Sequence, residues 1–312
     1  MADQNKTVAL VVPFLNEREN LRTLYERTIR VFESEPEEVR FIFVDDGSTD
    51  DGPDVLLELR EKDPRVGLLR LSRNFGHQVA ITAGMDHADA DAVVIIDADL
   101  QDPPEVIPDL LRRWREGCEV VYAVRRRRAG ESWLKRTLAA GFYKLFRRLA
   151  RVDVPLNAGD FRLLDRRAVE SLRGVREQHR FMRGLTCWIG FTQGSVEYDR
   201  EARHDGETKY PVWKSLHLAF DAITSFSSAP LRLISWLGII TCILGVLWLL
   251  RIVIIKWVDP AAMVPGWTSL MAAVLLLGGA QLFAIGMLGQ YVSRIYEEVK
   301  KRPLYLLSRK EL

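Results

Sequence analysis

Leu233 to Leu250 is a run of 18 residues without a charge, and Trp267 to Val292 is a second uncharged run of 26. No other feature constrains the fold of this chain as strongly. Eighteen helical residues rise about 27 Å, close to the hydrocarbon thickness of a bilayer. Asp259-Pro260 and Pro265-Gly266 break the chain between the two runs. The pattern predicts a transmembrane hairpin with helices over 231–257 and 267–293, flanked by Trp248, Trp257 and Trp267. The competing arrangement is two core helices of a soluble protein. Lys214, Arg232, Arg294, Lys300, Lys301, Arg302, Arg309 and Lys310 lie on the two-terminus side, whereas Arg251 and Lys256 lie toward the turn. This asymmetry places both termini in the cytoplasm, as expected for a multi-pass protein of the cytoplasmic membrane. Arg251 is expected to snorkel to the far headgroups. Gly278, Gly279 and Gly286 allow helices to approach closely, so a homo-oligomer is within the expectations.

The part before residue 211 has a different rhythm. Val8–Phe14, Phe41–Val44, Val66–Leu71, Val93–Ile96 and Val120–Val124 are short apolar runs with the pattern of strands. Arg18–Phe32, Asp54–Lys62 and Val79–His87 between them have the pattern of helices. The alternation predicts an α/β fold with a mostly parallel sheet, whose ligands bind at the C-terminal ends of the strands. Polar clusters fall at those ends: Asn16-Glu17, Asp45-Asp46-Gly47-Ser48, Arg73-Asn74 and Asp97-Ala98-Asp99. Taken singly, each would serve as an ordinary turn or helix cap.

The last cluster carries the most chemistry. A buried strand delivers Asp97 and Asp99 two residues apart, on one side of the chain. Adjacent carboxylates are costly unless a cation joins them, and hard divalent metals favour such oxygen ligands. A strand end followed by a polar turn remains the plainer alternative.

Several classes are excluded. No glycine-rich dinucleotide fingerprint follows the first strand, and the phosphate-binding loop of nucleotide triphosphatases is absent. Lys and Arg total 44 against 42 for Asp and Glu, and this balance gives no reason to expect a nucleic-acid partner. Cys118, Cys187 and Cys242 have neither metal-ligand spacing nor a disulfide pattern. The polar start, Met1 to Lys6, carries no signal-peptide pattern.

Two basic segments complete the pattern. Over 132–151 one helical face is apolar and the other carries Lys135, Arg136, Lys144, Arg147, Arg148 and Arg151. Such a helix lies on an anionic membrane or packs on the sheet with its basic side in water. Residues 211–230 suggest a second, juxtamembrane helix. In Arg203-His204-Asp205-Gly206-Glu207-Thr208-Lys209, both Arg203 and Lys209 can reach phosphates from a loop that closes over a diphosphate.

Pro13-Phe14-Leu15-Asn16-Glu17, Asp45 to Asp50, Asp97 to Glu105 and Arg203 to Lys209 occur in this order. Together the motifs resemble the family 2 glycosyltransferases of the GT-A fold. Asn157 to Leu163, the basic helix and the C-terminal runs narrow the resemblance to polyprenyl-phosphate glycosyltransferases. Bactoprenol glucosyltransferases and dolichol-phosphate mannose synthase are the nearest types. The resemblance implies a catalytic domain over 1–210 and a cytoplasmic tail over 294–312. It also implies a nucleotide-sugar donor, a polyprenyl-phosphate acceptor, a lipid bilayer as partner and Mg²⁺ or Mn²⁺ as cofactor. Pro13, Asn16 and Glu17 would hold base or ribose, and Asp46, with Asp45, the base. Asp99 and Gln101 would ligate the metal, with Asp97 beside it or the sugar. Arg125 would bind phosphate, Asp160 and Arg162 would line the acceptor side, and Arg203 and Lys209 would hold phosphates. Glucose from UDP-glucose is the expected sugar, transferred with inversion; mannose from GDP-mannose is the alternative. A processive synthase is disfavoured, because Gln178-His179-Arg180-Phe181 lacks the Gln-x-x-Arg-Trp pattern. A scaffold that kept the fold without the chemistry is also disfavoured, since the acidic and basic positions are intact.

Overall fold

The computed structural model describes residues 6–126, 158–199, 229–258 and 266–312. The chain divides into two units, Met1–Pro211 with Arg302–Leu312, and Val212–Lys301.

The first unit is built on one eight-stranded sheet. Its strands are β1 (Thr7–Phe14), β2 (Glu38–Asp45), β3 (Val66–Leu71), β4 (Ala92–Ile95), β5 (Val120–Arg125), β6 (Ala158–Asp165), β7 (Gln193–Tyr198) and β8 (Leu307–Glu311). The spatial order is β7-β5-β6-β4-β1-β2-β3-β8. Its centre, β4-β1-β2-β3, is parallel throughout. Strands buried on both faces must be apolar along their whole length, as Val8 to Val12 and Ala92 to Ile95 are. Helices α1 (Arg18–Phe32), α2 (Gly52–Lys62), α3 (His77–His87) and α4 (Ile107–Arg115) cover the sheet. The α/β, mostly parallel architecture therefore stands as expected, with element ends shifted by a few residues. Because four parallel strands end on the same edge, the loops after β1, β2, β3 and β4 lie side by side.

Three strands have no clear signal in the sequence pattern. β6 runs antiparallel between β4 and β5. It carries Asp160 and Arg162 inside the fold, which hides its strand character from a hydrophobic pattern. β7 alternates between exposed and partly buried positions at one edge of the sheet. β8 lies within the tail expected over 294–312 and pairs antiparallel with β3. Two further contacts hold this segment to the first unit. Ser72 N donates to Leu306 O at 2.8 Å, and Arg60 Nη2 donates to Leu312 O at 2.8 Å. Helices α5 (Arg166–Gly174) and α6 (Met182–Trp188) follow β6.

The second unit contains two long helices, α7 (Ala229–Val258) and α8 (Trp267–Val299). Trp236, Ile243, Leu244, Trp248, Leu276, Leu282 and Phe283 are among the large apolar side chains exposed along them. Among the described residues, no helix is long and apolar enough to cross a membrane. The spans expected over 231–257 and 267–293 are thus unsupported by the described residues, although both stretches are helical.

Close packing of α3 on the sheet centre depends on one missing side chain. A Cβ at Gly84 would meet Val11 Cγ1 at 2.3 Å and Val44 Cγ2 at 3.1 Å. Overpacking of this kind costs about 1–3 kcal/mol. Gly84→Ala should therefore lower the thermal midpoint, and adding Val11→Ala should restore part of the loss. An unchanged midpoint in the single variant would contradict this packing.

Candidate active site

The loops after β1, β2 and β3 interlock. Asp45 Oδ1 accepts from Ser48 N at 2.6 Å, and its Oδ2 lies 3.0 Å from Arg70 Nε on β3. Asp46 Oδ1 accepts from Phe75 N at 2.7 Å, and Oδ2 accepts from Gly76 N at 3.0 Å. Burial raises the Asp46 carboxyl above its ordinary value, against the opposing pull of those two backbone donors. Gly47 has φ +82°, and a Cβ there would stand 2.7 Å from Asn74 N. Only glycine permits that approach between backbones. Asn16, at φ 56°, donates its N–H to Ser48 Oγ at 3.0 Å and accepts from Thr49 N at 2.8 Å through Oδ1. Asn16, Glu17, Asp45 and Asp46 therefore sit in one set of joined loops. Glu17 Oε2 accepts from Asn20 Nδ2 at 2.6 Å. Pro13 is buried within β1, opposite Val44, so its ring is not placed to touch a ligand. Its place is at the end of the strand, next to the joined loops.

Asp97 and Asp99 leave the end of β4. Leu100 follows at φ 57°, an uncommon conformation for a branched side chain, and Gln101 N reaches back to Asp99 Oδ1 at 3.1 Å. Gln101 is buried. Asp97 Oδ1 is buried and accepts no hydrogen bond. Its near neighbour is His77 Nε2, 3.4 Å away at the start of α3. Burial raises the Asp97 carboxyl to about 6; His77 opposes this, while the charges of Asp160, Asp102 and Asp99 reinforce it.

Asp160 on β6 is the hub. Arg183 from α6 approaches it side-on, with Nε 3.1 Å from Oδ1 and Nη2 3.1 Å from Oδ2. Arg162 Nη2 lies 3.4 Å from Oδ1, Gln78 Nε2 lies 3.3 Å from Oδ2, and His77 Nε2 lies 3.4 Å from Oδ2. Burial alone would raise this carboxyl. The His77 hydrogen bond and the Arg183 and Arg162 charges outweigh burial and hold it well below the usual carboxylate range. The same neighbours work on His77: burial lowers it, but Asp160 and Asp97 raise it above its ordinary value.

Arg162 does not line a ligand surface. Its side chain is 1% exposed and donates to Asp160 O, Gly159 O and Thr186 Oγ1. These contacts make it a support of Asp160. Arg125 is likewise engaged. Its Nη2 stands 3.2 Å from Asp102 Oδ2 and its Nε donates to Tyr198 Oη at 3.1 Å. Tyr198 in turn donates to Asp102. A Cβ at Gly159 would meet Arg125 Nη2 at 2.8 Å, so this position accommodates the guanidinium.

The strand-end residues thus converge, and β6 adds Asp160. Arg203, Lys209, the helix expected over 132–151 and most of the segment over 211–230 lie outside the described residues. His77, Gln78, Arg183 and Tyr198 are site residues that the sequence motifs miss. A polar strand end at Arg73-Asn74 just before the helix was the available signal for His77 and Gln78.

Among the described residues, no group of three or more His, Cys, Asp or Glu side chains is arranged to hold a metal. Magnesium is commonly held through one or two carboxylates plus substrate phosphates rather than by a complete protein cage. Asp97 Oδ1, buried without a hydrogen bond, and Asp99 beside it fit that partial donor set.

Residues 9–173 match the family model "Glycosyl transferase family 2", and residues 229–295 match "GtrB C-terminal hairpin". An uncharacterized glycosyltransferase of Bacillus subtilis (strain 168) is 44% identical over 96% of this chain and 93% of its own length. A prophage-derived bactoprenol glucosyl transferase of Shigella flexneri is 42% identical over 97% of each chain. The crystal structure of mannosyl-3-phosphoglycerate synthase from Rubrobacter xylanophilus has a TM-score of 0.50 at 21% identity, covering 73% of this chain and 74% of that one. That is a likeness of fold.

Removing the Asp160 charge leaves Arg162 buried without its carboxylate, which costs about 3–5 kcal/mol. Because the folded carboxyl lies below its unfolded value near 3.9, its stabilisation is complete above that pH and fades as pH falls toward the folded value. Denaturant titrations should therefore find Asp160→Asn less stable at both pH 7 and pH 5, with the margin at pH 5 at least as large, because Asp160 also raises His77 and that contribution is complete only below the unfolded histidine value. Equal stability of variant and wild type at pH 7 would contradict the network.

Proposed function

The chain belongs to glycosyl transferase family 2, and from that premise we propose that it moves a hexose from a nucleotide diphosphate to a polyprenyl phosphate. The enzyme is a glycosyltransferase. One observation carries the reading of its centre: Asp97, Asp99, His77 and Asp160 meet where the parallel strands end. Nucleotide base and ribose rest on the joined loops of Asn16, Ser48, Asp45 and Asp46. Asp99, with Asp97 and Gln101, would hold Mg²⁺ or Mn²⁺ beside the diphosphate. When bound, the cation neutralises charge on the leaving diphosphate. Arg203 and Lys209 add positive charge toward the diphosphate, and Arg125 steadies Asp102.

The acceptor side follows from the chemistry of Asp160. A carboxylate held this firmly in its ionised form is a weak base. The acceptor phosphate is already an anion at neutral pH and needs no proton removed. Asp160 therefore does not deprotonate the acceptor; it holds the Arg183 guanidinium, the member of this pair that can receive an anionic phosphate. Direct displacement at the anomeric carbon inverts its configuration.

Support for a lipid acceptor comes from relatives named bactoprenol glucosyl transferase that align over nearly the whole chain. The hairpin family match and the exposed apolar side chains of α7 and α8 support membrane association, since soluble monomers rarely expose apolar patches of this extent. On this reading the enzyme is membrane-associated and meets its lipid acceptor at the cytoplasmic face of the membrane. Glucose from UDP-glucose is the proposed donor sugar.

Asp99→Ala should abolish transfer while leaving the thermal midpoint within a few degrees of wild type. Wild-type turnover in the folded variant would sink the assignment. Exhaustive chelation should also stop the reaction, and adding back Mg²⁺ or Mn²⁺ should restore it.

A further inference from the structure

The ladder between β4 and β6 sets Ile95 opposite Arg162. Continued by two places, it sets Asp97 opposite Asp160. Like charges facing each other on neighbouring strands repel. The sheet alone therefore drives these two carboxylates apart. A third element intervenes. His77, the first residue of α3, places Nε2 3.4 Å from Asp97 Oδ1 and 3.4 Å from Asp160 Oδ2. The adjacent Gln78 donates to the same Asp160 oxygen and accepts from Met182 N at 3.0 Å, which joins α3 to α6 as well.

We propose that His77 is a positioning residue for sugar transfer, bridging Asp97 and Asp160 so that the donor-side and acceptor-side carboxylates keep a fixed separation. The proposal rests on the transferase reading above and adds a residue that none of the sequence motifs contains. Its role is geometric. The joined loops of Asn16, Ser48 and Asp45 hold the nucleotide without the imidazole, so the bridge acts on turnover more than on donor binding. Without the ring, the facing carboxylates relax apart, and a displacement of about 1 Å at a reacting centre costs on the order of 100-fold in rate.

The test compares full-length wild type with His77→Ala, His77→Gln and His77→Asn. Calorimetry gives the Kd for the nucleoside diphosphate, and initial rates give KM for the nucleotide sugar and kcat for transfer. Hydrolysis of the nucleotide sugar by water is followed in parallel, and thermal unfolding confirms the fold of each variant. His77→Ala should keep Kd and donor KM within about threefold while kcat falls about 100-fold. The Gln amide has two N–H donors at a similar reach and should recover about tenfold of that loss, whereas the shorter Asn should not. If the Ala variant fails to fold, the contrast between Gln and Asn carries the test. Unchanged kcat in His77→Ala overturns the proposal. So does a loss matched by an equal rise in donor KM, or a folded Gln variant no better than Asn. A wild-type enzyme that hydrolyses the donor but does not glycosylate polyprenyl phosphate defeats the acceptor reading instead; the His77 contrast is then read on hydrolysis.

Discussion

The side-on pair between Arg183 and Asp160 anchors the whole edge of the sheet where the strand-end loops meet. A buried carboxylate survives in ionised form only where guanidinium and imidazole donors compensate for lost water. Here the compensation comes from two elements outside its own strand: α3 supplies His77 and Gln78, and α6 supplies Arg183. Arg162, two residues along β6, contributes a fourth contact, while its other donors hold the backbone of the same strand and Thr186 on α6. Satisfying one carboxylate therefore fixes the relative placement of β6, α3 and α6. Asp97, at the end of β4, inherits its surroundings from that arrangement.

Topology explains why these groups meet at all. Parallel central strands bring the loops after β1 to β4 to one edge, and antiparallel β6 inserts Asp160 next to the β4 carboxylates. Asp102, Arg125 and Tyr198 extend the polar floor toward β5 and β7. At the opposite side of the sheet, β8 closes the free edge of β3. Arg70 of β3 pairs with Asp45, which ties the loop proposed to hold the nucleotide to this strand.

The α/β class, the first five strands and the Asp-x-Asp strand end were all legible in the sequence. Apolar runs such as Val8 to Val12 and Val93 to Ile96 leave few alternatives once they alternate with amphipathic helices. β6 was legible as a motif but not as a strand, because Asp160 and Arg162 neutralise each other inside the protein where a hydrophobic pattern expects apolar side chains. His77 and Arg183 were not legible, since each owes its role to a partner distant in sequence. Arg162 and Arg125 have protein partners that the sequence does not reveal. Both are basic residues near a phosphate-binding motif, yet in the structure their donors turn to Asp160, Asp102 and the backbone. A basic side chain near such a motif can bind a ligand or support the residue that does, and spacing alone does not separate the two.

The central claim is that this edge of the sheet transfers a hexose to a lipid phosphate. Purified full-length enzyme, Mg²⁺ and undecaprenyl phosphate are incubated with UDP-glucose labelled in the sugar, alongside other labelled UDP- and GDP-sugars, and the products are partitioned into organic solvent. The expected result is labelled glucose in the lipid fraction, dependent on the lipid phosphate, with its anomeric configuration inverted. Label that stays in the aqueous phase with every donor, from an enzyme shown to be folded, would contradict the claim.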